Sequence, residues 1–113
     1  MELYDLLQAI EKRPAMYLGQ PSITQLSSFL AGYFFARRQL GISETEQEQR
    51  FSEFQAWIEK KFNLNSSQSW DEAIRGFAQD EPSALSQFFA LFNEFSHTNG
   101  LSSVPAIKPP LAS

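Results

Sequence analysis

The stretch from Ser22 to Leu40, SITQLSSFLAGYFFARRQL, constrains the fold more than any other part of the chain. Leu26, Phe29, Leu30, Tyr33, Arg37 and Leu40 recur at the i, i+3, i+4, i+7 spacing that gathers side chains on one side of an α-helix. Ser28, Ala31, Gly32 and Phe35 fall on the opposite side, a row of small residues and one ring that would admit a second element at short range. A helix apolar on both sides belongs near the middle of a domain, so the rest of the chain is expected to pack around it. Ser22 or Thr24 is placed to cap its start and Gly41 to end it.

The flanking segments repeat the helical period. Glu2 to Lys12 puts Leu3, Leu6, Leu7 and Ile10 on one face before Pro14 stops the run and pushes Arg13 out of the α region. Arg13 to Pro21, with two prolines and a glycine, reads as an ordered loop with Met16, Tyr17 and Leu18 turned inward. A helix from about Glu46 to Phe62 aligns Phe51, Phe54, Ile58 and Phe62, with Trp57 at its flank and a charged outer face. Ser69 and Glu72 form the S-x-x-E pattern of a capping box ahead of Trp70, Ala73, Ile74 and Phe77. A last helix from Asp80 carries Leu85, Phe88, Phe89, Phe92 and Phe95, a row that must be buried or bound. No strand alternation, internal repeat or heptad run is present. The expected architecture is all-α, a single compact domain of about five helices around the segment near residues 22–40. It occupies residues 1–100, and the Pro-rich segment 101–113 is expected to form a flexible tail.

At 113 residues the chain is long enough to bury roughly two thirds of its unfolded surface without covalent staples. Its net charge of −4 opposes sequence-independent nucleic-acid binding and favours a basic protein partner. The absence of cysteine removes disulfides and thiolate metal sites, and His97 is the sole histidine, so neither a metal nor another cofactor is expected. Acids stand at the N-terminus where a signal peptide needs Lys or Arg, and no apolar run approaches the roughly 18 residues of a membrane span. The expected setting is the cytoplasm, away from membranes. No Ser-His-Asp arrangement, phosphate-binding glycine loop or nucleotide fingerprint occurs, so an enzyme is not expected.

Glu44, Glu46 and Glu48 alternate with Thr45 and Gln47 at a helix start, where the dipole favours acids and the side chains are expected to point into water. With the other helix starts they would make an acidic patch for a basic protein. Arg37 falls on an apolar stripe, so it either snorkels to the edge or needs a buried carboxylate. Tyr17 is the residue least explained by packing, because its hydroxyl needs solvent or a partner.

Lys12 to Gly19, KRPAMYLG, resembles the RPGMYIG segment near the N-terminus of DNA gyrase B subunits. The further motifs that those ATPases need do not follow Gly19. A wider pattern covers about residues 3 to 95. It comprises Leu7, Ile10, Arg13, Pro14 and Met16 to Gly19, then Ser22, Leu26, Phe29, Leu30, Gly32 and Tyr33. Phe51, Phe54, Trp57, Ile58, Ser69, Trp70 and Ile74 complete it. This succession resembles a small uncharacterised bacterial family, similar in kind to the immunity proteins kept beside polymorphic toxins. The resemblance implies a noncatalytic protein-binding module that neutralises one cognate toxin. Arg13, Tyr17, Glu44, Glu46 and Glu48 are the candidate partner-binding residues. Ala15, where the commoner pattern has Gly, implies that this position needs no positive φ. Two alternatives stand beside this reading. One is a small-molecule or lipid-binding helical domain with a pocket between the central and last helices. The other is a structural homodimer that buries surplus rings or apolar side chains such as Phe35 or Leu91.

Overall fold

A computed structural model describes residues 1–65 and 67–98. The chain forms seven helices among these residues: α1 (Leu3–Lys12), α2 (Pro14–Leu18), α3 (Ile23–Gln39), α4 (Glu46–Phe51), α5 (Phe54–Phe62), α6 (Trp70–Phe77) and α7 (Glu81–Thr98). No strand occurs among them, and one buried cluster draws on every helix, so the domain is all-α. The expected tail, 101–113, and the stop at Asn99 and Gly100 lie outside the described residues.

Two of the expected elements divide differently. Arg13 to Pro21, expected as an ordered loop, contains a helical turn, because Pro14 opens α2 at the position where a missing N–H costs nothing. Gly19, at φ 86°, closes that turn, and Ala15 sits inside it with ordinary helical φ. Only Leu18 is buried there; Tyr17 is half-buried and Met16 faces outward, 67 % exposed. The helix expected from Glu46 to Phe62 is broken at Ser52 and Glu53. Ser52 Oγ donates back to the Gln49 carbonyl at 2.5 Å and the Glu53 N–H to the Arg50 carbonyl three residues behind, which tightens and bends the chain.

Caps fall where side-chain chemistry puts them. Ser22 Oγ accepts from the Gln25 N–H, and both Thr45/Glu48 and Ser69/Glu72 form reciprocal boxes. Gly41, at φ 70°, lets its own N–H and that of Ile42 close on the Arg38 and Arg37 carbonyls, and Asn63 does the same for α5 at φ 54°.

The core is a lattice of rings. Phe54 is fully buried, with the rings of Phe51, Trp57, Trp70, Phe88, Phe92 and Phe95 around it at centroid distances of 5.3 to 6.1 Å. Many meet edge to face, the arrangement the ring quadrupole favours. α3 packs on α2, α6 and α7 through Ile23, Leu26 and Leu30, as its first face requires. Its second face packs on nothing among the described residues. Ser28, Ala31, Gly32 and Phe35 are exposed, and a Cβ added at Gly32 would meet open space, so Gly32 does not serve a close helix approach. Leu40, expected on the core stripe, stands at the C-cap of α3 and is 75 % exposed.

Candidate functional site

α1 and α7 face one another across a groove. Tyr4, near the start of α1, sets its ring edge-on to Phe92 in the second half of α7, at 5.1 Å. At the other end, Glu81 at the start of α7 binds the start of α3, just beyond the chain that leaves α2. Between them lies a groove of about 820 Å³. Its floor is apolar, built from Leu7, Leu85, Phe89 and Phe92, and Pro14, Pro21 and Pro82 close one end. Gln8 and Glu11 on the α1 wall and Ser86, Asn93 and His97 on the α7 wall make the polar rim. Among the described residues, no Lys or Arg lines it. His97, at the end of α7, has Nδ1 2.7 Å from the Asn93 carbonyl, the local helix-end contact expected for a histidine there.

Tyr4 joins the groove to the start of α4. Its backbone N–H, one of the donors left over at the start of a helix, is taken by Gln47 Oε1 at 2.8 Å. Its hydroxyl is buried without a hydrogen-bond partner among the described residues. Burial pushes that hydroxyl above its ordinary pKa; Arg50 partly offsets the rise, and Glu46 and Glu53 add to it.

The sequence-derived candidates do not form one site. Arg13 is exposed at the α1–α2 junction, next to Pro14 of the groove. Tyr17 lies half-buried in α2 with its ring against the core. Glu44 and Glu46 are exposed; Glu46 is near Tyr4 and pairs with Arg50 at 3.5 Å. Glu48 does not point into water. It is 5 % exposed, its backbone N–H and carboxylate complete the box with Thr45, and its Oε2 stands 2.5 Å from Arg37 Nε. The contact is an ion pair rather than an aligned hydrogen bond. The cause is the helical period: the third position of α4 faces the core side, where the Arg37 head from the end of α3 needs a carboxylate. Glu48 is therefore an internal strut between α3 and α4 rather than an exposed acid.

A second polar cluster was hidden from sequence reasoning. Glu81 accepts from Ser22 Oγ at 2.8 Å, from the Thr24 N–H at 3.0 Å and from Thr24 Oγ1 at 2.9 Å, while Arg75 donates to Thr24 Oγ1 at 2.8 Å. The Thr24 N–H bond, aided by the two hydroxyls and Arg75 against the cost of burial, holds the Glu81 carboxyl below the ordinary glutamate range. This network ties α3, α6 and α7 together. Its partners lie more than 50 residues apart in the chain, so no local pattern announces them.

Among the described residues, no group of three or more His, Asp or Glu is arranged to hold a metal ion, and no helix is long and apolar enough to cross a membrane. The several-hundred-Å³ space expected between α3 and α7 lies instead between α1 and α7, because Ile23, Leu26, Leu30, Phe88 and Phe95 fill the interior to within 2 % exposure. Leu91 is in the core, so of the two side chains expected at a dimer interface only Phe35, 55 % exposed, is on the surface. No protein-family model, curated protein or solved structure matches the chain.

Proposed function

We propose that the chain is a noncatalytic protein-binding module of the cytoplasm that docks on a segment of a partner through the groove between α1 and α7. The supporting observation is the groove itself: an open trough whose polar rim, Gln8, Glu11, Ser86, Asn93 and His97, offers hydrogen-bonding groups to a partner. Among the described residues its lining carries Glu11 but no Lys or Arg, and Glu46 and Glu53 lie near Tyr4 at one end, in a chain of net charge −4. A basic partner therefore meets a complementary field. Joined to the resemblance of the residue pattern to immunity proteins, the reading becomes concrete: a bacterial inhibitor that occupies one cognate toxin domain.

The test is affinity capture of the tagged protein from its native cells, read by mass spectrometry, with Glu11→Lys and Glu44→Lys/Glu46→Lys as controls. One stoichiometric partner, lost with either control and released by salt, is the expected result. Recovery of the protein alone, or only with itself, overturns the reading.

A further inference from the structure

We draw no further inference here: the strongest candidate, the open face of α3 that carries Ser28, Ala31, Gly32 and Phe35, is a helix face without a packing partner among the described residues, and nothing in the structure shows what covers it.

Discussion

Glu48 shows how much one side chain's direction changes what a residue can do. In the sequence it is the third of three alternating acids, indistinguishable from Glu44 and Glu46. In the fold it is buried and faces Arg37, whose side chain is 24 % exposed and whose guanidinium also lies 5.6 Å from the Tyr33 ring. Removing one partner of such a pair strands the other, so Glu48→Ala should cost about 2 to 3 kcal/mol, less than a fully buried pair because Arg37 keeps contact with water. Glu44→Lys/Glu46→Lys should change stability by no more than about 0.5 kcal/mol. Urea denaturation of the variants checks both; equal effects would remove the distinction between strut and surface acid. The pairing was half legible: Arg37 on an apolar stripe demands a carboxylate, but which of thirteen acids answers depends on where α4 docks.

Among the elements, α3 has a packed face and an open one. Its second face offers small residues, yet no helix lies there among the described residues, and Gly32 has empty space where a Cβ would stand. Gly32→Ala should therefore raise stability by about 0.5 to 1 kcal/mol, through lower entropy of the unfolded chain and better helix propensity. A fall in thermal midpoint would show that the site is crowded after all. The start of the same helix depends on a different element, since Glu81 supplies the acceptors for Ser22 and Thr24. Glu81→Ala should cost about 1 to 3 kcal/mol. The sign with pH follows from the depressed carboxyl: its contribution is present above the unfolded glutamate value, about 4.3, and is lost as pH falls through the lower folded value. Between neutral pH and that acid window the wild type should lose more stability than Glu81→Ala, and parallel acid titrations of the two would refute this.

The whole molecule is held by rings that share one centre. Phe54 touches six aromatic neighbours drawn from α4, α5, α6 and α7, so Phe54→Ala removes the contact point of four helices at once. The expected loss is about 3 to 5 kcal/mol, a large part of the stability of a domain this size, measured by the denaturation midpoint. A cost below about 1 kcal/mol would mean that the rings reorganise around the vacancy.

The helical class, the capping boxes at Ser69 and Glu72, the end at Gly41 and the inward stripes Phe51–Phe54–Ile58 and Phe88–Phe92–Phe95 were all determined by the sequence alone. Each rests on spacing or backbone freedom within a few residues, and such local terms read directly from order along the chain. The tertiary structure decided the rest: that Ser52 bends the third run, that one face of α3 stays open, that Glu48 turns inward, and that α1 and α7 stand apart to leave a groove. These features depend on the docking of segments remote in sequence, whose relative placement balances burial of shared rings against desolvation of the charges between them. No periodicity within a single segment carries that balance.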